Sequence, residues 1–134
     1  MDTHLIRIFA IAGGGAVGAL LRYGVAVLAV HTLGDRFPYG VLIANLLGCF
    51  LIGLLMHEAL VEGKWLPVTS HVAVTIGFLG ALTTFSTFSY DTLRLIELGR
   101  PLAAATNVLA NCVLGIAACW LGGHVGSMIE KSVQ

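Results

Sequence analysis

The stretch Gly77-Phe78-Leu79-Gly80-Ala81-Leu82-Thr83-Thr84-Phe85-Ser86-Thr87-Phe88-Ser89-Tyr90-Asp91 decides how this chain folds. It continues an apolar run that begins near Val68, yet five hydroxyls and two phenylalanines interleave between Thr83 and Ser89. Glycine weakens a helix, and Ser and Thr side chains compete for its backbone hydrogen bonds. A break is therefore expected between Ala81 and Phe85. Lipid cannot solvate so much polarity, so the segment must face protein, water or an ion.

The rest of the chain sets the solvent. Of its 134 residues 57% are hydrophobic and only 10% charged, against about 25% charged in a soluble domain. Such a chain cannot cover itself with a polar surface and belongs in a bilayer. Formal net charge is zero, which argues against a nucleic-acid partner, since those need basic patches. Cys49, Cys112 and Cys119 lie in apolar segments without ligand spacing and read as packing residues.

Pro38, Pro67 and Pro101 each precede a new apolar run. Proline is tolerated in the first turn of a helix, so these residues mark helix starts. Four runs result, at about 5–30, 39–59, 68–98 and 101–127, each near the length of roughly 20 apolar residues that a span requires. The first run exceeds the roughly 7–15 residues of a signal-peptide core and carries Arg22, so it reads as a membrane helix. The connectors His31 to Phe37, Glu58 to Leu66 and Arg94 to Arg100 are short and polar. The expected fold is an all-α membrane protein, one transmembrane domain over residues 1–134, with four spans, the third broken.

Lys and Arg near span ends set orientation. Arg7, Lys64 and Lys131 fall on one side, and Arg36, Arg94 and Arg100 on the other. This balance predicts insertion both ways and an antiparallel pair.

Polar groups inside the spans locate the candidate site. Gly14, Gly18 and Arg22 share one face of the first helix at spacings of four, so another helix can approach closely there. Arg22 either snorkels to the interface or lends positive potential to an anion vestibule. Asn45 either makes an interhelical hydrogen bond or donates its NH2 to an ion. Asn107, Asn111, Gly115 and Cys119 form a stripe that is a packing seam or the wall of a polar track. Phe85 and Phe88 share a helical face beside Ser86, Thr87 and Ser89. Ring edges are positive and contact an anion without trapping it. Hydroxyls, an amide NH2 and ring edges together suit conduction, which needs both capture and release.

Other chemistries fit less well. A proton-coupled drug exporter of the four-helix antiparallel type needs a membrane-embedded carboxylate. The first helix has no acid beyond Asp2, and Glu58, Asp91 and Glu97 lie toward span ends. His4, His31, His57, His71 and His124 are scattered without ligand spacing, and Ser86 and Ser89 lack a His–Asp partner, so the chain does not read as an enzyme.

Three ordered segments carry a family likeness. Gly14-Gly15-Ala16-Val17-Gly18-Ala19-Leu20-Leu21-Arg22-Tyr23 resembles the first-helix signature of the Fluc (CrcB-type) fluoride channels. Asn45-Leu46-Leu47-Gly48-Cys49-Phe50-Leu51-Ile52-Gly53 resembles their second-helix motif, and Gly77 through Ser89 their third-helix break and phenylalanine box. The resemblance implies a passive fluoride channel in the cell's inner membrane, exporting cytoplasmic fluoride as a dual-topology homodimer with two pathways. It implies that Phe85 and Phe88, from different subunits, line each pathway with Asn45. It also implies a structural sodium ion on the backbone carbonyls of Gly80 and Thr83, doubled by the two-fold axis. Ser86, Thr87 and Ser89 are expected in or beside the box, with Asn111 and Arg22 along the pathway. The fourth helix departs from the family pattern, carrying Asn107 near the position where relatives have tyrosine.

Overall fold

The computed structural model describes residues 3–56 and 67–133, and the described residues are helical throughout apart from short turns. Helix α1 is Thr3–Leu33 and α2 is Tyr39–Leu55. Helix α3 covers residues 68–82, and α4 is Phe85–Glu97. Helix α5 covers residues 101–133. Helices α3 and α4 are the two halves of one membrane-length element, so the chain crosses the bundle four times. Three elements are long and apolar enough to span a bilayer: Thr3–Leu33, Val68–Glu97 and Pro101–Ser132. The shorter α2 is equally apolar in character. The expected end of the second span near 59, and the connector bearing Lys64, lie outside the described residues.

The prolines start helices as their chemistry requires. Pro38 and Pro67 occupy the positions just before α2 and α3, and Pro101 opens α5. Helix ends use glycine. Gly34 follows α1 at φ 82° and returns its N–H to the Val30 carbonyl at 3.0 Å. After α4, Gly99 at φ 70° donates to Ile96 while Arg100 donates to Leu95, both at 2.9 Å. This paired closure is a Schellman motif, which needs the left-handed residue that glycine supplies without strain. The Arg100 guanidinium also donates to the Arg36 carbonyl, which ties the two loops at that end.

Small residues set the packing. A methyl group on Gly14 would overlap the Ala73 carbonyl, and one on Gly18 the Phe78 carbonyl. The register rises on both helices together, so α1 and α3 run parallel at close approach. Gly53 meets the Cys119 carbonyl and Gly122 the Phe50 carbonyl in the same way, which brings α2 and α5 together. In a bilayer there is no hydrophobic drive between helices, so such backbone approach supplies the association.

The protomer's own core is small. Its apolar centre is Ala44, Leu79 and Leu82, with Val25, Leu51 and Phe78 packed around it. Only 6% of the most apolar stretch of α1 is buried within the protomer. Leu20, Phe9, Ile76, Leu102 and Ile116 all point outward. That much exposed hydrocarbon fits a lipid environment and is incompatible with a stable fold in water.

Candidate functional site

The break falls at two residues. Thr83 and Thr84 are extended, at ψ 153° and ψ 117°, between the last turn of α3 and the first of α4. Thr84 then caps α4. Its hydroxyl accepts from the Thr87 N–H at 3.2 Å and donates to the Thr87 hydroxyl at 3.0 Å. The Ser86 hydroxyl lies 3.3 Å from the same oxygen. Capping of this kind satisfies an N–H that the helix start leaves without a partner.

A broken helix needs new partners for its backbone, and two side chains supply them. The Thr84 N–H donates to Asn45 Oδ1 at 2.9 Å, and Asn45 Nδ2 reaches the Thr84 carbonyl at a long 3.4 Å. In a continuous helix that N–H would return to the Gly80 carbonyl. On the other side, Arg22 Nε donates to the Ala81 carbonyl at 2.9 Å. Arg22 is thus aimed inward at the break from the α1 seam, and its Nε–H holds backbone.

Asn45 also donates to Asn111 Oδ1 at 2.9 Å. Asn111 donates in turn to the carbonyl and side-chain oxygen of Asn107, at 3.0 and 3.1 Å. Asn107 is fully buried and donates to the Thr92 hydroxyl at 2.9 Å, which donates to the Phe88 carbonyl at 2.8 Å. A continuous chain of amides therefore links the break to α4 through α2 and α5. Of the two readings open for Asn45, the interhelical hydrogen bond is present. Asn107 belongs to this network, and Thr92 is a member that nothing in its sequence neighbourhood announced.

Two π-helical stretches, Ala73–Leu79 in α3 and Ala110–Leu114 in α5, flank the network. The first runs directly into the last turn before the break, and the second contains Asn111. Wide turns of this kind are rare and re-aim side chains where they occur, often at functional sites. No composition signal distinguishes them from ordinary helix.

A cavity of about 420 Å³ opens at the break. Asn45, Gly80, Thr83, Phe85, Phe88 and Asn111 all line it, so six of the ten expected site residues come together. No Lys, Arg, Asp or Glu lines it among the described residues. Phe85 and Phe88 sit with ring centroids 5.5 Å apart, tilted by 48°. Phe85 is 79% exposed, so it packs little against the rest of the chain. The remaining four expected residues do not line the cavity. Ser86 and Ser89 are on the exposed side of α4, where Ser89 donates to the Phe85 carbonyl at 2.9 Å. Thr87 faces a second pocket between the loops, and Arg22 lies behind the break.

Comparison with known proteins decides the kinship. The family described as CrcB-like protein, Camphor Resistance (CrcB), matches residues 9–123. The chain belongs to the CrcB family. It is 44% identical over 128 residues to a "Fluoride-specific ion channel FluC" from Dehalococcoides mccartyi, covering 94% of this chain and 96% of the relative. It is 48% identical over 118 residues to a protein of the same name from Geobacter metallireducens, covering 88% and 94%. A Photobacterium profundum protein, also so named, is 47% identical over 116 residues, covering 84% and 87%. The likeness spans every element that builds the cavity of this family member.

The lining is neutral, and its amide and hydroxyl donors are engaged within the protein: Asn45 with Thr84 and Asn111, Asn111 with Asn107, and Thr83 with Leu79. The bond from Asn45 to the Thr84 carbonyl, at 3.4 Å, is the longest of these, and the ring edges of Phe85 and Phe88 carry partial positive charge without a fixed cation.

Proposed function

We propose that this chain is a passive fluoride-selective channel of the cell's inner membrane, exporting cytoplasmic fluoride down its electrochemical gradient. The observation that carries the reading is the neutral cavity at the helix break, where Asn45, Phe85, Phe88 and Asn111 converge. The names of the relatives and the coverage of the match support it.

Fluoride is small and strongly hydrated, so a selective path must replace its water with closely placed donors. Asn45 offers one through the weak end of its bonding: the hydrogen aimed at the Thr84 carbonyl at 3.4 Å is the easiest to redirect. Phe85 and Phe88 offer ring edges, Thr87 keeps a hydroxyl hydrogen free, and Ser86 and Ser89 would turn theirs from the Thr84 hydroxyl and the Phe85 carbonyl. Asn111 holds Asn45 in register through its side-chain oxygen. Arg22 adds positive potential behind the break without occupying the path. Chloride is larger and accepts weaker hydrogen bonds, so a rigid narrow lining disfavours it.

The reading includes an antiparallel homodimer of dual topology, with two fluoride pathways at its interface. The outward Phe85 ring and the open cavity are what a second copy would cover. The Gly80 and Thr83 carbonyls of the two copies would then hold a structural sodium ion. The donor set fits: these are neutral oxygens at a helix break, and the helical donor to Gly80 has been diverted to Asn45. When bound, sodium supplies a fixed positive charge that ties the two breaks together.

The deciding experiment is ion efflux from liposomes holding the purified protein, read with fluoride and chloride electrodes under a potassium-driven potential. Fluoride should leave rapidly and chloride remain. Equal release of both ions, or none of fluoride, overturns the proposal.

A further inference from the structure

Two nitrogen atoms at the far end of the α1–α3 seam stand apart from the cavity. Arg7 Nε and His71 Nε2 are both shielded from solvent and have no hydrogen-bond partner. Buried polar groups are almost always paired, so two shielded nitrogens left alone on neighbouring helices call for a ligand. Arg7 lies one turn before Ile11, whose carbonyl faces Gly77 across the seam. His71 lies two residues before Ala73, whose carbonyl faces Gly14. Because α1 and α3 run parallel, both residues fall at the same end of the bundle, in the opening turns of their helices. That is the level of the lipid headgroups for helices of this length.

From these two orphaned nitrogens on adjoining helices we infer that Arg7 and His71 form a phosphate-binding site at the membrane interface. The ligand chemistry is a phosphate group whose oxygens reach the guanidinium Nε–H and the imidazole Nε2. Arginine suits this role because its planar donors match phosphate geometry. The groups nearest in sequence, His4 on α1 and Thr75 on α3, do not compete. His4 is exposed, and Thr75 donates to the His71 carbonyl at 2.8 Å. The phosphate can come from the headgroup of an anionic lipid or from the free ion in solution, and the site is separate from the cavity at the break.

Native mass spectrometry of the full-length protein, titrated with phosphatidylglycerol, phosphatidylcholine or inorganic phosphate, tests the assignment. Phosphatidylglycerol should bind wild type more tightly than phosphatidylcholine does. Arg7→Gln and His71→Gln should each weaken it about tenfold, the loss of one charge-assisted hydrogen bond. Arg7→Lys, which keeps the charge but not the planar fork, should fall between. Lys131→Gln, an exposed cation on α5, should change affinity by less than about twofold, as a screened surface charge does. Binding of inorganic phosphate with the same pattern of losses would support the site and assign it to the free ion. Undiminished affinity in both glutamine variants overturns it, as does a wild type that neither binds inorganic phosphate nor binds phosphatidylglycerol more tightly than phosphatidylcholine. Lipid binding is read without fluoride transport, so this outcome is independent of the channel assay.

Discussion

At the level of single residues, the amide chain distinguishes side chains that hold the break from those that face the cavity. Asn45 does both. Asn45→Ala removes the acceptor for the Thr84 N–H and the donor to Asn111. It should abolish most fluoride efflux and also lower thermal stability in detergent, by roughly 1–3 kcal/mol per group left unpaired. Unchanged melting together with unchanged flux would remove Asn45 from both roles. Phe85→Ile should separate the effects. Phe85 is largely exposed, so the variant should melt like wild type, while losing its ring edge should cut efflux in the liposome assay by up to about tenfold, the equivalent of one ring contact of up to ~1.5 kcal/mol. Asn107→Leu is the converse case. Asn107 does not line the cavity, but the change removes one of the two acceptors of Asn111 and the donor to Thr92, so stability should fall before selectivity changes. Heating curves recorded beside fluoride-to-chloride ratios would show the order.

At the level of elements, the break and the glycine seams are two solutions to one constraint, that no backbone group be left unpaired in lipid. Thr84 makes the break tolerable by capping α4. Thr84→Ala should destabilise the protein by about 1 kcal/mol, the usual cost of losing a cap, and Thr84→Ser should restore most of it. A serine variant as unstable as alanine would argue that the methyl group, not the hydroxyl, matters there. The seams are less forgiving. Gly18→Val places a branched side chain where the Phe78 carbonyl already stands. The α1–α3 pair must then separate, which also draws Arg22 away from the Ala81 carbonyl. Loss of folded protein on size-exclusion chromatography is expected for Gly18→Val and not for Gly13→Val, because Gly13 faces open space.

At the level of the whole molecule, the protomer looks incomplete in one consistent way. Among the described residues only six apolar side chains are buried, the cavity is open, and Phe85, Ser86 and Ser89 are exposed. The antiparallel pairing proposed above would cover all three. An epitope tag on one terminus should then be cleaved by protease from both sides of sealed vesicles in comparable amounts. Protection on one side only would require a parallel assembly and remove the balanced-charge argument.

Much of this was legible in the residues themselves. Composition assigned the bilayer, since 10% charge cannot clothe a soluble surface. The prolines marked helix starts because a residue without an N–H is cheapest there. Gly80 and the threonine run announced the break, which falls at Thr83 and Thr84 within the expected interval. These are local properties, fixed by what each residue does to its own backbone. Tertiary structure decided the rest. That Arg22 holds the Ala81 carbonyl, that Asn45 secures both sides of the break, and that Thr92 closes the amide chain all depend on contacts across 15 to 66 residues. The π-helical turns that aim Asn111 arise from packing, because a wider turn has no signature in residue type. Hydrogen-bond partners in lipid are chosen by whatever helix lies alongside, and only the folded bundle fixes which one that is.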